Sequence, residues 1–156
     1  MPYTIYESPV GALTLVATDT GLRAVWWPSD TRALPVGERD DAHPVLAKAT
    51  VQLQEYFAGD RREFDLPLEP AGTAFQLTVW DVLRTIAYGE TITYGEQARR
   101  LGDTRKARAV GAANGRNPLS IVVPCHRVVG ASGALTGFAG GMDTKRWLLD
   151  FELANR

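Results

Sequence analysis

The periodicity of this chain changes near residue 70, and that change constrains the fold more than any other feature. The first 27 residues alternate apolar and polar positions in YTIYES, ALTLVAT and LRAVWW, separated by SPVG and DTG. Alternation with period two buries one face of an extended strand, and the intervening Pro, Gly and Asp favour turns. A small β-meander is predicted. The stretch from Pro28 to Asp41 reads as a loop. HPVLAKATVQLQEYFAGD then places Val45, Leu46, Leu53, Tyr56 and Phe57 on a helical face and ends in Gly59. REFDLPL is read as the last strand of this lobe, and LEPAGT as the passage to the next.

Beyond that passage the period becomes helical. FQLTVWDVLRTI spaces Phe75, Val79, Val82, Leu83 and Ile86 as one apolar face. Thr93 and Glu96 have the capping-box spacing, so a helix should run through EQARRL and stop at Gly102, a suitable left-handed cap. Asp103 or Thr104 could cap a second helix, RKARAVGAANG. KRWLLDFELANR forms a last helix, with Trp147 and Phe151 one turn apart. The expected fold is α+β: a small N-terminal β-sheet lobe with a helix (residues 1–70), then a mainly helical domain (71–156) containing a helix-turn-helix.

Charge divides the same way. Residues 1–70 carry six Lys/Arg against eleven Asp/Glu, and residues 71–156 carry eleven against seven. Between residues 99 and 116, Arg99, Arg100, Arg105, Lys106, Arg108 and Arg116 face Asp103 alone. This is the footprint of a phosphate-binding surface, although a solvated helix face has the same composition. Two short helices joined by a glycine turn also occur in many non-binding proteins. The second helix is unusual for Ala107, Ala109, Gly111, Ala112 and Ala113, whose small side chains permit close approach to a helix or a nucleic-acid groove.

The single cysteine, Cys125, excludes an intramolecular disulfide and a cysteine-rich zinc site. MPYTIYESPV lacks the marks of a secretory signal, and no apolar run is long enough to cross a bilayer. A soluble, intracellular protein with a reduced thiol is expected. Cys125 lies in IVVPCHRVVG, which reads as buried strand, and a buried free cysteine is commonly a small hydrophobe. A reactive thiol instead needs a base. His126 is adjacent, but neighbouring side chains of a strand point to opposite faces, so contact needs a turn or a water bridge. Glu152 falls on the apolar side of the last helix, one turn after Leu148. There it either reaches water at the helix end or is paired, with an imidazole as the natural partner.

PCHRVVG, preceded by RAVG and GRNP and followed by SGALTGFAGG and KRWLLDFE, resembles the active-site region of the O6-alkylguanine-DNA alkyltransferases, or methylated-DNA–protein-cysteine methyltransferases. The likeness runs from FQLTVW to the C-terminus. It implies direct-reversal DNA repair: binding of duplex DNA containing O6-alkylguanine, extrusion of the lesion, and irreversible alkyl transfer to Cys125. It implies that His126, oriented by Glu152, takes the thiol proton through a water, that Tyr94 donates to guanine N3, and that Asn117 braces the active-site turn. Arg108 would fill the space of the extruded nucleotide, with Ala109, Gly111, Ala112, Thr93 and Tyr94 against a minor groove. Val128, Phe138, Ala139 and Gly140 would form the substrate pocket, Phe138 standing where relatives often carry tyrosine. No metal or cofactor is implied, and the acceptor is expected to be a cytoplasmic monomer, its cooperativity on DNA left open. A damage-binding protein that marks lesions without efficient transfer is the alternative, although such relatives replace the cysteine. A Cys/His hydrolase fits the proline before Cys125 poorly.

Overall fold

The computed structural model describes residues 1–30 and 37–156, so the loop expected over 28–41 lies partly outside the described residues. They divide into two compact units, Met1–Ala71 and Gly72–Arg156. The α+β expectation holds in both.

In the first unit, β1 (Tyr3–Ser8), β2 (Gly11–Ala17) and β3 (Leu22–Trp26) form an antiparallel sheet in that order. Ser8 pairs with Gly11 across the first turn, where Gly11 takes φ +112° and the Ser8 hydroxyl donates to its carbonyl at 2.6 Å. The alternation read from the sequence sends Leu13 and Leu15 of β2 inward, both fully buried. Helix α1 (Pro44–Phe57) covers this face with Leu46, Ala49, Leu53 and Tyr56. Each buried leucine contributes about 1.5–3 kcal/mol.

REFDLPL is not a strand. Only Leu68 makes a bridge, to Leu22. Pro67 has no amide proton for a ladder, and the buried Gln52 side chain takes both the Asp65 amide and its carbonyl at 2.9 Å. The segment's backbone groups are thus satisfied without a sheet.

The second unit holds α2 (Ala74–Leu83), β4 (Ile92–Thr93), α3 (Tyr94–Leu101), α4 (Ala107–Gly115), β5 (Val128–Val129) and α5 (Met142–Asn155). Helix α2 is shorter than FQLTVWDVLRTI, ending at Leu83 before hydrogen-bonded turns to Ile86. Its N-terminus carries a full capping box between Thr73 and Gln76. Thr93 supplies only half of one to α3: it accepts from the Glu96 amide at 3.1 Å, while the Glu96 carboxylate turns to Arg99 and Arg100. Gly102 ends α3 at φ +109°. Asp103 caps a 3-10 turn, Thr104–Lys106, which leads into α4. Trp80, absent from the expected apolar face, is buried and donates its indole N–H to the Ala113 carbonyl at 2.8 Å, tying α2 to α4.

Parallel pairing of β4 with β5 matches Ile92 to Val128 and Thr93 to Val129. Tyr94 directly follows β4, and the turn Cys125–Arg127 directly precedes β5. Two residues of pairing therefore bring the start of the helix-turn-helix beside the cysteine.

Candidate active site

Cys125 does not lie on a strand. Residues 121–123 form turns and Cys125–Arg127 is a 3-10 turn, so consecutive side chains no longer alternate across a sheet. Asn117 sets this path: its Nδ2 donates to the Val123 carbonyl at 2.9 Å and its Oδ1 accepts from the Leu119 amide at 3.0 Å. Ile121 between them adopts φ +73°, a conformation that β-branched residues rarely take. Its near-complete burial holds it there.

His126 and Glu152 are both fully buried, and His126 Nε2 lies 2.6 Å from Glu152 Oε2. The helix-end alternative for Glu152 is thereby excluded. Arg127 completes the cluster by donating Nε to Oε1 at 2.8 Å and Nη2 to Oε2 at 3.1 Å, while its Nη1 donates to the Ile86 carbonyl at 2.8 Å. The Gly89 amide adds a bond to Oε1 at 3.3 Å. Burial alone would push the Glu152 carboxyl up, but the bonds from His126 and Arg127 outweigh it and hold the group well below the usual carboxylate range. Burial pulls the His126 imidazole down, and the Glu152 carboxylate restores it only in part. Neutral His126 therefore donates Nε2–H to an ionised Glu152. That leaves Nδ1, buried and without a hydrogen-bond partner among the described residues, as the basic nitrogen.

A cleft beside Cys125 is lined by Tyr94, Asn114, Gly115, Asn117, Ser120, Gly137, Phe138 and Ala139. Its free volume is about 10 Å³, on the order of one water. Phe138 and Ala139 are both in this lining. Val128 and Gly140 are not in the lining: Val128 is fully buried in β5, where its carbonyl takes the Lys145 ammonium at 2.6 Å. Gly137 takes their place.

On α4, Arg108, Ala109 and Ala112 are exposed, and Arg108 makes no hydrogen bond or ion pair within the described residues. Gly111 faces inward instead: a Cβ there would stand 3.6 Å from the Tyr94 ring. Thr93 is engaged as the cap of α3. The basic patch is smaller than its composition suggests. Glu96, just outside the counted stretch, pairs with Arg99 at 2.7 Å and Arg100 at 2.9 Å, and Asp103 pairs with Arg105 at 3.0 Å. Lys106, Arg108 and Arg116 have no carboxylate partner among the described residues, Lys106 standing 5.3 Å over the Phe75 ring.

Residues 1–70 match the family described as 6-O-methylguanine DNA methyltransferase, ribonuclease-like domain, and residues 74–154 match its DNA binding domain. The chain belongs to this methyltransferase family. It is 46% identical to the methylated-DNA–protein-cysteine methyltransferase of Methanosarcina acetivorans over 153 residues, covering 97% of this chain and 98% of that one. Identity to the enzyme of the same name from Mycolicibacterium paratuberculosis is 49% over 156 residues, covering 96% and 91%. Among solved structures, Mycobacterium tuberculosis OGT in complex with DNA superposes with a TM-score of 0.92 at 45% identity, covering 99% of this chain and 94% of that one.

Arg127 and Lys145 add to the methyltransferase site what the sequence reading missed. Arg127 lies in PCHRVVG, where nothing in the sequence marks its partner. Lys145 is 1% exposed, and burial lowers its ammonium pKa while the nearby Cys125 opposes the shift. The signal was present in α5, where Lys145, Leu148 and Glu152 share one buried stripe at helical spacing.

Proposed function

We propose that this methyltransferase performs direct-reversal DNA repair, moving the alkyl group of O6-alkylguanine in duplex DNA onto Cys125. The sulfur attacks the alkyl carbon, an S–C bond forms as the C–O bond breaks, and guanine leaves with the electron pair. The thiol proton passes to His126 Nδ1, through a bridging water. The resulting imidazolium lies against the Glu152 carboxylate, which stabilises the charge and keeps the ring oriented. Tyr94, on the cleft wall, donates to guanine N3 as negative charge develops on the base. Because a thioether has no ready leaving group, each molecule acts once.

Residues 71–156 act in this reading as the DNA-binding and alkyl-acceptor domain. Exposed Arg108, with Ala109 and Ala112 beside it, fits a minor groove and the gap left by an extruded nucleotide. Extrusion costs a few kcal/mol, least for a weakly paired base, so the lesion favours its own selection. A reduced thiol fits a cytoplasmic location; no helix among the described residues is long and apolar enough to cross a membrane.

The buried His126–Glu152 bond immediately after the cysteine carries this reading. Intact mass after mixing equimolar protein with a duplex holding one O6-methylguanine tests it, with Cys125→Ser as control and peptide mapping. One added methyl per chain, confined to Cys125, is expected. Lesion-selective binding with no mass gain would move the protein to the damage-marking class.

A further inference from the structure

We infer that Thr136 is a positioning residue for the transfer, its hydroxyl donating to Tyr94 Oη so that the tyrosine's own proton is directed to the base. The inference rests on the reading of Cys125 as acceptor and Tyr94 as donor.

Thr136 is fixed from three sides. Its Oγ1 lies 2.6 Å from Tyr94 Oη. Its carbonyl accepts from Lys145 Nζ at 3.2 Å, and the same ammonium holds the Val128 carbonyl of β5. Its Cγ2 reaches Gly130, where a Cβ would stand only 3.5 Å away. The turn closed by Gly130 N–H to the Ala134 carbonyl at 2.8 Å returns the chain to this place. A β-branched side chain is stiff about χ1, so an anchored backbone and a seated methyl together aim the hydroxyl.

Either oxygen of the pair can donate. If Tyr94 donated, its proton would be committed to Thr136 and turned from the cleft, which Tyr94 lines and Thr136 does not. If Thr136 donates, the free proton belongs to Tyr94 and faces the space where the base must sit. That second arrangement keeps the phenol proton available to the base. It also strengthens as the reaction proceeds. As N3 of the leaving guanine gains charge, it draws the phenol proton, the phenol oxygen becomes more negative, and the bond from Thr136 tightens. No proton leaves Thr136 in this scheme.

The test is the single-turnover rate of methyl transfer, followed by quenched intact mass, on a duplex with O6-methylguanine and on one with its 3-deaza analogue, which lacks the N3 acceptor. On the normal lesion, Thr136→Val should slow transfer about tenfold, below the loss expected for removing a direct donor, and Thr136→Ala should do the same. Thr136→Ser should restore the rate to within about twofold, because it keeps the donor. In a Tyr94→Phe background Thr136→Val should add nothing, and on the 3-deaza duplex it should match the wild type. An unchanged or faster Thr136→Val overturns the inference, as does an equal loss in the Tyr94→Phe background or on the 3-deaza duplex. Absence of methyl on Cys125 in the wild type would instead overturn the underlying reading.

Discussion

Glu96 and Glu152 are each held by two basic side chains, yet they belong to different kinds of structure. Glu96 binds Arg99 and Arg100 from its own helix, within reach of water, and their hydrogen bonds lower its carboxyl to about 2. Glu152 is fully buried and binds His126 and Arg127, residues 26 and 25 positions away. The first cluster follows from helical spacing alone. The second exists only when the cysteine turn, α5 and the Gly89 segment have assembled. Similar local chemistry therefore does opposite work: one cluster tunes a surface, and the other ties reactive groups to the folded state.

Glu152→Gln should give the largest effect, because it leaves Arg127 buried without a counter-charge. A loss of about 3–5 kcal/mol in urea unfolding is expected, with methyl transfer strongly slowed. Unchanged stability would break the contrast. Acid should act next. His126, lowered by burial, and Glu152, lowered by its partners, both bind a proton more readily in the unfolded chain. Stability should therefore decline as pH falls below about 6.5, where an unfolded imidazole protonates, and again below about 4.3, where an unfolded glutamate does. Glu152→Gln should flatten the lower limb in urea titrations across pH.

The smallest effect is expected on the exposed side. Glu96→Gln should barely move the melting temperature, since solvent and salt screen such pairs. It should instead tighten binding to undamaged duplex a few-fold at low salt and steepen the salt dependence by about one to two ions, read by fluorescence anisotropy. No change would mean that Arg99 and Arg100 do not face DNA.

The contrast also explains what could be read before folding. The β-meander, Gly102 and the helix pair depend on neighbours in sequence, and period and capping chemistry revealed them. REFDLPL is not a strand because its own Pro67 withholds a donor and a non-local partner, Gln52, takes the Asp65 backbone. The basic patch was overcounted because its window opened three residues after Glu96. In the candidate site, the pairing of Glu152 is legible from a carboxylate on an apolar stripe, and the structure gives it His126 as partner. Lys145, on the same stripe, was passed over because long basic side chains so often reach water. The Tyr94–Thr136 bond spans 42 positions and carried no periodic signal.

The tight cleft has a consequence for how long such a molecule stays useful. A thiol that reacts once has no later cycle in which to correct an error. Any oxidant or stray electrophile that reaches it removes one molecule from service. With Cys125 only 8% exposed on the wall of a narrow cleft, little of the thiol faces such encounters. The narrowness that shelters the sulfur is therefore also what a single-use reagent needs between its making and its one reaction.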